Sequence, residues 1–118
     1  MAPSDGIGFV ETRVFTRRVN ELGLEQGLRE LQLQLSDNPE AGRLDPGTGG
    51  LRKVRMADAS RGKGKRSGAR VHYLWLPEHS LVYLIFVYSK DESETLTQGQ
   101  KRQLKTVVDA IKKEWKRR

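Results

Sequence analysis

Lys53 and Arg55 stand two residues apart in the run LRKVRMA, and Arg70 and His72 repeat that spacing in ARVHYLW. Tyr88 and Lys90 form a third such pair in VYSK. Residues two apart on an extended strand share a face. If the three strands lie side by side, cations, an imidazole and a phenol surround one point. That set suits cleavage of RNA without a metal, in which a 2′-hydroxyl attacks its own phosphate. The reaction needs a base for the hydroxyl proton, cations on the phosphoryl oxygens and an acid for the leaving 5′-oxygen. Arginine suits the clamp, because its planar fork grips phosphate in two places and stays charged. Lys53 is the leading base, since neighbouring cations disfavour its protonated form. The plain alternative is a solvated strand face, with His72 an ordinary strand histidine.

The charge distribution points the same way. Arg52 to Arg70 contains eight basic residues and one acidic residue, Asp58, which accounts for the whole chain's formal charge of +7. Elsewhere 14 basic residues balance 14 acidic ones. Charge gathered in one strand–loop–strand unit is the footprint of a phosphate-binding surface, with nucleic acid as the partner. Arg52, Arg61, Lys63, Lys65 and Arg66 are its RNA-binding residues. The loop SRGKGKRSG is expected to bind rather than catalyse, because its glycines prevent the rigid placement catalysis requires.

A chain of 118 residues makes one domain, here 9–118, after a flexible N-terminus at 1–8. It has no cysteine, which excludes disulfides and thiolate chemistry, and His72 and His79 lack the carboxylate spacing of a metal site. No metal or organic cofactor is implied. The N-terminus has no secretory pattern, and the longest apolar run, Leu81 to Tyr88, is too short for a bilayer. A soluble cytoplasmic domain without membrane contact is expected.

Those residues must be positioned by regular elements. Phe9 to Val14 alternates as a strand, and Phe15 to Leu22 makes one or two helical turns ending at Gly23. Leu24, Leu28, Leu31 and Leu35 fall on one helical face, and that helix stops near Ser36, ahead of Asn38-Pro39. Pro46 to Gly50 reads as a loop. Leu51 to Ala57 and Ala69 to Leu76 are strands flanking the basic loop, with Tyr73 and Trp75 in the core. Pro77 to Ser80 is a turn, and Leu81 to Tyr88 is an antiparallel strand apolar enough for the middle of the sheet. Thr97 and Gln100 form a capping box for a last helix, with Leu104, Val107 or Val108, Ile111 and Trp115 as its apolar stripe. The class is α+β, in the order β-α-α-β-β-β-α.

That order, with GTGGLRKVRMA and GKGKRSGARVHYLW at its centre, resembles the RelE/HigB toxins of bacterial type II toxin–antitoxin modules, on the HigB-type side. The resemblance runs from about Phe9 to the last helix. It implies a RelE-like fold, a small mixed and mostly antiparallel sheet with two N-terminal helices and one C-terminal helix. It also implies a ribosome-dependent mRNA endonuclease, or mRNA interferase, that stops translation. The implied partners are mRNA, the ribosome and a helix-turn-helix antitoxin of HigA type. The family's basic pair matches Lys53 and Arg55, its next strand arginine matches Arg70, and the basic residue after its last strand matches Lys90. The arginine that follows in RelE is Asp91 here, and the tyrosine beyond falls near Thr97. The general acid therefore stays open among Tyr88, Tyr73 and His72. The rival reading is a RelE-fold protein that acts by binding alone, as a gyrase poison or an RNA-binding paralogue. A ring of cations on the inner strands favours the nuclease.

Overall fold

The hairpin of β4 (Ala69–Leu76) and β5 (Leu81–Ser89) is the spine of the molecule. In the computed structural model, residues 6–59, 62, 64, 68–93 and 95–117 are described. One turn of tight helix, Pro77–His79, joins the two strands, and Ser80 closes it in the left-handed region at φ 50°. β3 (Arg52–Met56) pairs antiparallel with β4, and the two-residue β2 (Arg43–Leu44) pairs antiparallel with β3. β1 (Gly8–Glu11) adds to β5 in parallel, giving the order β1-β5-β4-β3-β2. The expected third strand is β5, which lies between β1 and β4, while β4 holds the centre. The fold is α+β, with a mixed, mostly antiparallel sheet.

Two boundaries differ from the sequence reading for local reasons. The strand expected over Phe9 to Val14 ends at Glu11, because Thr12 starts α1 (Arg13–Leu22) instead. Its hydroxyl accepts from Phe15 N at 3.1 Å and donates to the Ile85 carbonyl at 2.8 Å, so one side chain caps the helix and fastens it to β5. β2 falls in a stretch assigned to no element. At the N-terminus, Ile7 packs on the core and Gly8 opens β1, whereas residues 1–5 lie outside the described residues.

The sheet has two faces with separate duties. α1 and α2 (Glu25–Asp37) cover one, where Phe15, Val19, Leu28, Leu31 and Leu35 pack on Val71, Tyr73, Val82, Leu84 and Val87. α2 comes so close that a Cβ on Gly27 would lie 2.1 Å from the Ala57 carbonyl, which is why a glycine stands mid-helix. Trp75 is partly buried against the same cluster.

α3 (Gln98–Lys116) lies on the other face, opened by the expected capping box between Thr97 and Gln100. Leu104, Val108 and Ile111 pack on Leu51, Leu74 and Ile85. Trp115 Nε1 donates to Tyr83 Oη at 2.6 Å, and His79 tilts against the same indole at 4.6 Å. This second cluster leaves the start of β4, the end of β5 and β3 for other use. Among the described residues no helix is long and apolar enough to cross a membrane.

Candidate active site

Strand register decides which polar side chains meet on the α3 face. Directly opposed residues of antiparallel strands point to the same side. Arg43 opposes Lys53, Lys53 opposes His72, and His72 opposes Phe86, which makes one row across four strands. Arg55 opposes Arg70, and Arg70 opposes Tyr88, which makes the next. Two residues along a strand separate the rows, roughly 7 Å.

The rows are not equally open. Arg43, Asp45, Lys53, Arg55 and Arg70 line a cleft of about 710 Å³ at the β2–β3 edge. Arg55 is exposed and Lys53 half-buried, whereas Arg70 is only 4% exposed and donates from Nη1 to the Ala69 carbonyl at 3.3 Å. Tyr88 is buried and lines a different groove of about 320 Å³, with Arg18, Phe86, Glu92 and Gln100. There Arg18 spans from α1, bonding the Val87 carbonyl at 3.1 Å, pairing with Glu92 and lying 5.8 Å over the Phe86 ring. Lys90 sits in the turn after β5, where its backbone N–H donates to the Gly68 carbonyl at 3.0 Å.

His72 is fully buried, so it forms the floor of the site rather than its surface. Its Nε2 lies 2.8 Å from Asp45 Oδ2, and its ring stacks on Tyr88 at 5.8 Å. Burial lowers its tendency to protonate, and Lys53 and Lys101 reinforce this, outweighing the opposing pull of Asp45. The ring is neutral near pH 7. Burial alone would raise the Asp45 pKa, but hydrogen bonds from His72 and Lys101 more than offset it and hold the carboxyl below its ordinary value.

The remaining sequence candidates lie elsewhere. Arg52 points to the opposite face, where its guanidinium donates to the Gly42 carbonyl at 2.8 Å and approaches Glu40 at 3.7 Å. Tyr73 is core on that same face. Its hydroxyl accepts from Gly42 N at 2.9 Å and donates to the Pro39 carbonyl at 2.7 Å, and burial raises its pKa. Arg61, Lys63, Lys65 and Arg66 lie outside the described residues. Arg43, Asp45 and Lys101 were not among the expected site residues. Arg43 and Asp45 show the two-residue spacing of a strand, but Gly42 and Pro46 leave too short a run to read.

A five-stranded sheet with paired N-terminal helices on one face and a C-terminal helix on the other is a RelE-like fold. A solved structure of a mutant E. coli toxin RelE in the free state is similar to it, with a TM-score of 0.55 and 16% sequence identity. The similarity covers 75% of this chain and 88% of that one. No protein-family model matches the chain.

Proposed function

We propose that this protein is the toxin of a type II module of HigB type, a metal-independent endoribonuclease that cuts mRNA on the ribosome. A HigA-like helix-turn-helix antitoxin would restrain it in the cytoplasm. The observation that carries this reading is the convergence of Arg43, Lys53, Arg55 and Arg70 on one open cleft of a RelE-like fold. Four cations and one carboxylate repel a divalent metal and attract a phosphodiester. Arg55 is the phosphoryl clamp, with charge building on the oxygens as the 2′-hydroxyl attacks, and Arg70, nearly buried in the wall of the same cleft, adds its positive field. Lys53, in the same cleft, is the base that takes the hydroxyl proton. Tyr88 and His72 are too enclosed to meet the leaving oxygen directly, so their part is to support Arg70 and Lys53 from beneath. The products would be a 2′,3′-cyclic phosphate and a 5′-hydroxyl, the leaving oxygen taking its proton from water in the open cleft.

The test is single-turnover cleavage of mRNA on programmed ribosomes, with the new 5′ ends mapped. Arg55→Ala is the cleaner clamp variant, because Arg70 is buried and its removal would disturb the sheet. Lys53→Arg keeps the charge but cannot give up a proton, and should lose roughly a hundredfold to ten-thousandfold in rate. Intact mRNA with the parent protein would end the nuclease reading. Near-normal cleavage by Lys53→Arg would leave Lys53 as electrostatic support only.

A further inference from the structure

The first turn of α3 sends one side chain over the β2–β3 loop toward the sheet. Lys101 Nζ lies 3.0 Å from Asp45 Oδ1 and 3.1 Å from the Pro46 carbonyl. The other oxygen of the same carboxylate holds His72 Nε2 at 2.8 Å. An ionised carboxylate only accepts, so Nε2 carries the hydrogen of the neutral ring. Among the described residues the buried His72 Nδ1 has no hydrogen-bond partner. Protonating it would place an N–H where nothing receives it, which the interior penalises. The ring is thus fixed in one tautomer and one orientation. Around it stand Asp45 from the loop, Lys53 from β3, Arg70 two places along β4, Tyr88 from β5 and Lys101 from α3.

We propose that Lys101 and Asp45 are positioning residues of the cleft: acting through the His72 ring, they set the floor under Lys53 and tie the seating of α3 to the site's geometry. This rests on the nuclease reading above. A chain of contacts from Lys101 Nζ through one carboxylate to one ring, with both carboxylate oxygens used, is more than helix docking requires. Lys105 and Lys112 show the contrast. Lys105 pairs with Asp109 along the exposed helix surface at 3.0 Å, and Lys112 holds the Gly49 carbonyl at 2.8 Å. Among the described residues neither of these contacts leads to His72.

The experiment combines two readouts on the full chain: the ¹⁵N resonances of the His72 ring without RNA, and single-turnover cleavage on programmed ribosomes. In Lys101→Met the carboxylate keeps only the ring as a partner. The ring should then protonate at a pH where the parent's stays neutral. Cleavage rate should fall roughly ten- to a hundredfold from misplacement of Lys53, with KM within about twofold. Lys101→Arg should restore both, and Lys105→Met should change neither. Should Lys101→Met fail to fold, Asp45→Asn keeps the shape, removes the charge that holds Lys101, and must alter the same ring signals. Parent-like ring resonances and rate in Lys101→Met, or an equal loss in Lys105→Met, would overturn the proposal. A parent protein that leaves mRNA intact removes the nuclease reading instead, while the ring spectrum still reports whether α3 is coupled to His72.

Discussion

Tyr73→Phe separates a structural phenol from a chemical one, since Tyr73 is one of the tyrosines that could have served as general acid. The substitution removes a single oxygen, so the ring still fills its place between α2 and the sheet. What it loses is the clamp on the 39–42 segment, the acceptor for Gly42 N and the donor to the Pro39 carbonyl. The Gly42 contact is buried, so its N–H is stranded at a cost of about 1–3 kcal/mol, while the part-buried Pro39 carbonyl can turn to water and costs about 0.5–1.5 kcal/mol. A total near 2–3 kcal/mol is a large share of the roughly 6–18 kcal/mol expected for a domain of this length. It should lower Tm by roughly 8–12 °C. Thermal unfolding followed by circular dichroism measures the loss, and cleavage measured well below the variant's Tm tests the chemistry. There the pH–rate profile should match the parent's. An unchanged Tm, or a cleavage profile that loses its acid or alkaline limb in a folded protein, would refute the clamp and put the phenol in the reaction.

Acid should destabilise the fold in two stages. His72 has a folded pKa below its ordinary value of 6.5. Below that value the unfolded chain takes up a proton the native state refuses, so stability falls with pH by at most about 1.4 kcal/mol per unit. His72→Gln should flatten urea-derived stabilities between about pH 7 and the folded pKa. Asp45 acts lower down, because its folded pKa lies under 3.8 and its contribution is present above that value and fades as the pH drops through the folded one. In the basic loop, replacing Lys63, Lys65 and Arg66 with Ala should weaken RNA or ribosome binding and reduce the slope of log affinity against log salt by roughly 2–3. Unaltered binding with much slower cleavage would make that loop catalytic.

The elements were legible wherever their signal was local. The leucines of α2 recur at helical spacing, Thr97 and Gln100 mark the start of α3, and Pro77 with Ser80 marks the hairpin turn. Even the choice between Val107 and Val108 needed only the partner surface, which buries Val108. β2 was not legible, because two residues carry no periodicity and their pairing is set by β3. The same limit applies to the site. Spacing put Lys53 with Arg55 and Arg70 with His72 on common faces, but which strands stand side by side is decided by register. Arg52, expected among the RNA-binding residues, alternates with Lys53 and so faces away from the cleft, and its pairing with Glu40 depends on a loop that only the fold brings near. His72 reads as a residue on an open face. It is closed over by Asp45 and Lys101, which lie 27 residues before and 29 after it, a meeting no window along the chain reveals.

The parallel pairing of β1 with β5 has a bearing on biosynthesis. Gly8 to Glu11 are made early, but their partners, Leu81 to Leu84, leave the ribosome some seventy residues later. Until then β1 and the amphipathic helices α1 and α2 have only each other to lean on, and contacts of such long range form slowly. The second polar row is equally late, because Tyr88 arrives only at the end of β5. A chain truncated inside the basic loop and released therefore carries Lys53 and Arg55 but lacks Arg70, the floor beneath them and the helix that steadies it. The cations are synthesised well before the framework that aligns them, so a truncated product should cling to RNA without the means to cut it.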